Sequence, residues 1–141
     1  MTKVIIDYNA SVITPIANGV NIPIPTSPAG VSIATTSVNI DPANPASSTN
    51  KVELNATFGY RSISGEPEII VRLWRAGTEI YYALAGDAFD GVDEYSLVSL
   101  QMIEHAPLGT QNYQLIVENR NAASTARVIG PITFTAIAIG G

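Results

Sequence analysis

Val52-Glu53-Leu54-Asn55-Ala56-Thr57-Phe58-Gly59-Tyr60 decides the fold class. Val52, Leu54, Ala56, Phe58 and Tyr60 fall on one side of an extended chain, and Glu53, Asn55 and Thr57 fall on the other. Successive side chains of a strand point to opposite faces, so this stretch reads as a strand with one buried face. The same period recurs along the chain. Glu68–Arg75 sets Ile69, Val71 and Leu73 against Ile70, Arg72 and Trp74. It runs through Arg75-Ala76-Gly77-Thr78 into Glu79–Leu84, and a short Gly-containing link between two β-rich runs predicts a hairpin.

Gln111–Asn119 alternates Tyr113, Leu115 and Val117 against Gln114, Ile116 and Glu118. Pro131–Ile139 places Ile132, Phe134, Ala136 and Ala138 on one side and Thr133, Thr135, Ile137 and Ile139 on the other. Tyr95–Glu104 fits neither period cleanly and is read as a strand. The link Ala106-Pro107-Leu108-Gly109-Thr110 then predicts a second hairpin with Gln111–Asn119. Val31–Ile40 is a further strand, and no long segment has the period of an amphipathic helix. About seven or eight strands with turn signals between them predict an all-β, antiparallel β-sandwich of jelly-roll or Greek-key type. Trp74 is expected in the core of that sandwich, with an interface or a ligand platform as the other readings.

Residues 1–24 read as an N-terminal extended segment and residues 25–141 as the sandwich domain. Strand-like pieces at Lys3–Tyr8, Val12–Ile16 and Val20–Ile24 are broken by prolines, which cannot donate ladder hydrogen bonds and suit edge positions. Val4, Ile5, Ile6, Val12, Ile13 and Ile16 are too apolar for a free tail. They are the subunit-interface candidates. Either they form the first strand of their own domain, or they are a donor strand lent to a neighbour. Asp41–Asn50 reads as a loop from its Pro, Ser and Asn content.

The chain has 141 residues, 12 acidic and 7 basic, and no cysteine. Disulfides and thiolate metal sites are thereby excluded. The sparse, scattered basic residues exclude a nucleic-acid partner, which needs clustered Lys and Arg. Charged residues are 13% of the chain, against about 25% in an ordinary soluble domain. No apolar run approaches the ~18 residues of a membrane helix. Either the sheet is packed on both faces inside one domain, or part of the surface is covered by other subunits; the rarity of large exposed apolar patches on monomers favours the second. After Met1-Thr2-Lys3, residues Asp7, Asn9 and Pro15 interrupt any apolar leader. The expectation is an external position reached without a secretory signal peptide, for example after cell lysis.

Signals for catalysis are poor. The single histidine, His105, adjoins Glu104, but no Gly-x-Ser-x-Gly elbow accompanies it, and it reads as a strand-to-turn residue. Asp87, Asp90, Asp93 and Glu94 do not match a calcium-loop pattern and read as a solvated loop. Glu66 and Glu68 lie two apart with Pro67 between them and read as sharing a solvent-facing strand edge, not as a glycosidase pair. No Gly-rich phosphate loop is present. The expectation is a non-enzyme with no cofactor and no metal.

Several segments carry a family resemblance. Lys51-Val-Glu-Leu-Asn-Ala-Thr, Val71-Arg-Leu-Trp-Arg-Ala-Gly-Thr-Glu-Ile, Tyr113-Gln-Leu-Ile-Val-Glu-Asn and Val128-Ile-Gly-Pro-Ile-Thr-Phe-Thr-Ala-Ile-Ala-Ile resemble spore-surface β-sandwich proteins of Bacillus-type bacteria, of the exosporium or endospore-appendage kind. The resemblance implies a fibre or appendage subunit at the spore surface, with other spore-surface proteins as further partners. It also implies subunits joined through N-terminal extensions that complete a neighbour's sheet. The cysteine cross-links of some such proteins have no counterpart here.

Two functions compete on this reading. The first is a structural, self-assembling homo-oligomer joined non-covalently by β-strand addition. The alternative is a carbohydrate- or ligand-binding sandwich module using Trp74 and Tyr82. Viral or phage shell proteins, which use the same sandwich physics, form a smaller third class.

Overall fold

The computed structural model describes residues 2–86 and 94–141. Its strands are β1 (Val4–Thr14), β2 (Ile22–Pro23), β3 (Val31–Ile40), β4 (Lys51–Ser64), β5 (Glu68–Arg75), β6 (Thr78–Gly86), β7 (Glu94–Glu104), β8 (Gly109–Asn119) and β9 (Thr125–Gly140). They form two antiparallel sheets packed face to face. Sheet A has the order β1-β9-β4-β7, with β2 added to β9, and sheet B has the order β3-β8-β5-β6. Strands β5 and β6, β4 and β7, β3 and β8, and β1 and β9 pair as nested partners. The chain is thus one long hairpin, folded at β5–β6 and rolled up, which is the jelly-roll form of the expected sandwich.

The inward faces follow the period read from the sequence. Val52, Leu54, Ala56, Phe58 and Tyr60 of β4 meet Ala138, Ala136, Phe134, Ile132 and Val128 of β9 on sheet A. Ile69, Val71 and Leu73 of β5 with Tyr113, Leu115 and Val117 of β8 supply the opposing face, and all are at most 1% exposed. This dry layer between two sheets is the core.

Three elements differ from expectation, each for a physical reason. Strand β9 begins at Thr125 rather than Pro131. It is central, between β1 and β4, and it admits a proline because its register against β4 jumps from Phe58↔Ile132 to Tyr60↔Val128. Pro131 sits in that bulge and owes no ladder hydrogen bond. Second, β7 and β8 are not a hairpin, because they lie in different sheets. The Ala106 region arches across the sandwich, tied down by buried Asn50. The Asn50 Nδ2 donates to the carbonyls of Ser47 (2.8 Å) and Ala106 (2.9 Å), and its Oδ1 accepts from Ala106 N–H (2.9 Å). Third, the three N-terminal pieces become one strand, β1, and the two-residue β2. Within the Asp41–Asn50 loop a short 3-10 turn, Pro45–Thr49, is capped by the Asn44 side chain accepting from Ala46 N–H (3.0 Å). Among the described residues no helix is long and apolar enough to cross a membrane.

Candidate assembly surface

Strand β1 is an edge strand of sheet A, hydrogen-bonded to β9 of the same chain. Its register places Asp7, Asn9, Ser11 and Thr14 opposite the inward residues Ala138, Ala136, Phe134 and Ile132. Ile5, Tyr8, Ala10 and Val12 stand opposite Ile139, Ile137, Thr135 and Thr133, which face outward. Directly opposed residues share a face. The alternation of β1 is therefore inverted, with its polar side turned in and its apolar side turned out.

The inward polar side has a task. The Asp7 carboxylate accepts from the backbone N–H of Asn39 at 2.7 Å, and the Asn9 amide donates to the Ser37 hydroxyl at 3.5 Å. Both partners lie on β3, the edge of sheet B. Asp7 thus occupies a donor that an exposed strand edge would offer to another chain, and it does so with a charge. Edges β1 and β3 close against each other on this side of the sandwich.

The outward apolar side has no cover among the described residues. Ile5, Tyr8 and Val12 are 66%, 59% and 57% exposed. Beside them lie the half-buried Ile137 and Ile139 of β9. The outward positions of β1 and β9 here carry no charge, and Lys51 and Glu53 of β4 border them. Of the residues singled out in the sequence, Val4, Ile5, Val12, Ile13 and Ile16 are exposed. Ile6 is not with them: it occupies a bulge between Ile5 and Asp7, and its side chain packs on the core. Tyr8 belongs to the surface and is missing from the sequence reading. Its position in the run Tyr8, Ala10, Val12 was the available signal.

The opposite side of the sandwich is also apolar. Edge strands β6 and β7 expose Tyr82, Leu84, Tyr95, Leu97 and Ile103. Their inward residues Tyr81, Ala83, Ala85, Val98, Leu100 and Met102 are only half-buried, and a cleft of about 310 Å³ opens between the two strands. No aromatic or aliphatic run in the sequence distinguished these positions from core.

The other singled-out groups are placed as follows. His105 Nδ1–H donates to the carbonyl of Asn50 at 2.9 Å, the carbonyl being able only to accept. Its neighbour Glu104 points elsewhere, pairing with Arg75 and accepting from the Tyr113 hydroxyl at 2.9 Å. Burial, with the Glu104 charge second, pushes the Tyr113 phenol above its usual range. Glu68 pairs with Arg120 at 2.7 Å. Asp87, Asp90 and Asp93 lie outside the described residues. Among the described residues no three acidic or histidine side chains gather as metal ligands do. Trp74, expected in the core, stands half-buried on the outer face of sheet B, since it shares the outward phase of Ile70 and Arg72.

No protein-family model and no curated protein matches the chain. Among solved structures it is similar to a chain of infectious bursal disease virus, Gt strain, with 14% identity and a TM-score of 0.51, over 94% of this chain and 36% of that one. A chain of the T=1 particles derived from infectious bursal virus gives 11% identity and a TM-score of 0.48, over 94% of this chain and 36% of that one. Dimeric latent PorU of Porphyromonas gingivalis gives 11% identity and a TM-score of 0.42, over 96% of this chain and 13% of that one. The chain spans about a third, or less, of the length of these structures. The likeness to the Gt-strain chain shows that the two share a β-sandwich fold.

Proposed function

We propose that this chain is a structural subunit, not an enzyme, that assembles with copies of itself into a fibre, appendage or surface layer held non-covalently by β-strand addition. The family resemblance supports the spore surface as the place of that assembly, with other spore-surface proteins as further partners. The observation that carries the proposal is the uncharged apolar row Ile5–Tyr8–Val12 on an edge strand. Contiguous exposed apolar surface on a folded chain marks a place where another molecule packs.

Strand polarity supports the same reading. Strands β1 and β7, the two ends of sheet A, run antiparallel to each other, because three antiparallel pairings separate them. A copy set beside β7 by simple repetition brings an antiparallel partner to it, and such head-to-tail contact generates an open array. Equally, β1 can leave its own β9 and fill the same eleven-residue place in a neighbour, with residues 15–21 as the hinge. Both are strand addition, and both place residues 1–24 at the junction.

Light scattering after size exclusion, with electron microscopy of the same fractions, tests this. The intact chain is expected as large regular assemblies. Tyr8→Lys/Val12→Lys, which changes only outward side chains, is expected as small species with an unchanged melting temperature. Deleting residues 2–16 should likewise abolish long assemblies. A monomeric intact chain, or variants that assemble as well as the parent, would refute the proposal.

A further inference from the structure

The outer face of sheet B, on the far side of the core from the assembly row, holds a groove of about 300 Å³. Trp74 and Arg72 of β5, Gln114, Ile116 and Glu118 of β8, and Ser32 of β3 line it. Arg72 is fixed in place. Its Nε donates to Glu118 and its Nη1 to Glu79, and its guanidinium carbon lies 5.7 Å from the centre of the Tyr82 ring. A guanidinium has five N–H donors, so these two bonds leave it with others to offer. The Gln114 amide and the Ser32 hydroxyl have no hydrogen-bond partner among the described residues. Tyr82, opposite Arg72 in the β5–β6 register, is 63% exposed.

The chemistry of this wall narrows its ligand. Two carboxylates already surround the one guanidinium, so an anion gains little here. A purely apolar ligand would strip water from Gln114, Ser32 and the remaining N–H groups of Arg72 and leave them unpaired. What remains is a neutral molecule with many hydroxyls and a flat C–H face. The negative face of an aromatic ring attracts polarised C–H edges, and planar amide and guanidinium groups bond neighbouring hydroxyls in pairs. We infer that the Trp74–Arg72–Gln114 groove is a saccharide-binding site, with Trp74 and Tyr82 as stacking platforms. A β-1,4-linked gluco-configured chain has this chemistry: its equatorial substituents leave the ring face free and set vicinal hydroxyls at the rim. The groove is at the small end of ligand sites, roughly 300–1,000 Å³, and takes a short stretch of such a chain. The site lies apart from β1 and functions in a single subunit or an assembled one.

Trp74 is the one tryptophan of the chain, so its fluorescence reports the site alone. The test is titration of the intact protein with cellotetraose and with tetra-N-acetylchitotetraose, with calorimetry in parallel. A saturable change in emission is expected for at least one of them. Tyr82→Ala and Gln114→Ala, which spare the Arg72–Glu118 pair, are expected to raise Kd about tenfold or more, with unchanged melting temperatures. Absence of saturable binding of both sugars overturns the inference. Equal affinity in the two variants also overturns it, by placing the sugar elsewhere. So does a response to tetralysine alone, which would make the groove a cation site.

Discussion

Gly59 and Gly130 face each other at the first of the two register shifts in the β4–β9 pairing, between Phe58 and Tyr60. A Cβ on Gly59 would lie 2.3 Å from the Gly130 carbonyl oxygen, which is backbone and cannot swing away. Gly130 itself has a φ of +97°, a region that L side chains rarely adopt. Gly59→Ala is therefore expected to lose about 1–3 kcal/mol, as overpacking of a close-packed core does, measured by urea unfolding. Tyr113 offers a second residue-scale test. Its hydroxyl donates to the partly buried Glu104 carboxylate, which also pairs with Arg75 and so ties β7 of one sheet to β5 of the other. Tyr113→Phe should lose about 1.5–3 kcal/mol, the range for a hydrogen bond to a charged group. The phenol pKa is raised in the folded state, so above about pH 10 the unfolded chain releases this proton while the folded chain keeps it. Stability from this group is complete below that pH and falls as pH rises beyond it. Unfolding free energy followed from pH 9 to 11 should fall more steeply in the parent than in Tyr113→Phe; parallel curves would show that the phenol is not held in this way.

At the scale of elements, the arch between β7 and β8 depends on Asn50. Its side chain satisfies three backbone groups around Ser47 and Ala106, and Asn50 and Ala106 are each 1% exposed. Asn50→Ala leaves the Ala106 N–H and carbonyl unpaired out of reach of water, while the Ser47 carbonyl keeps the Asn50 backbone N–H, and about 2–5 kcal/mol of stability should go with it. Chemical denaturation checks this, and a loss under about 1 kcal/mol would mean that water replaces the amide. The arch also shows where reading by period runs out. Strands β3 and β5 were legible to the residue, because an alternating run ends at turn chemistry on each side. Whether a link turns back in one sheet or crosses to the other depends on Asn50, over fifty residues away from Ala106, and a local pattern carries no trace of that contact. Strand β1 is the second limit. Its period of two is plain in Asp7, Asn9 and Ser11 against Tyr8, Ala10 and Val12. The usual rule puts the apolar side inward. Here Asp7 and Asn9 find partners on β3, and the rule is reversed. For Trp74 the opposite holds: its shared phase with Arg72 already placed it outside, and only the habit of assigning tryptophan to cores said otherwise.

At the scale of the whole molecule, the arrangement of charge decides what kind of force joins copies. The chain carries a net charge of −5, and its charged groups are 13% of residues. Several of them are used internally, in Arg72–Glu118, Arg75–Glu104 and Arg120–Glu68. The outward row of β1 has none. Assembly through that row then draws on apolar burial and main-chain hydrogen bonds, with a weak net repulsion between like-charged copies opposing it. Salt screens that repulsion, the Debye length falling from about 10 Å at 0.1 M to about 3 Å at 1 M. Sodium chloride is therefore expected to leave the assembly intact or enlarge it. Ammonium sulfate should enlarge it further, because sulfate strengthens apolar burial by exclusion from protein surface. An interface built on intermolecular ion pairs behaves in the reverse way and comes apart in salt. Sedimentation velocity across a sodium chloride series, repeated with Tyr8→Lys/Val12→Lys, separates the two. The parent should sediment as fast or faster at high salt, and the variant should stay small throughout. Dissociation of the parent by sodium chloride would place the contact on charged surface away from Ile5, Tyr8 and Val12.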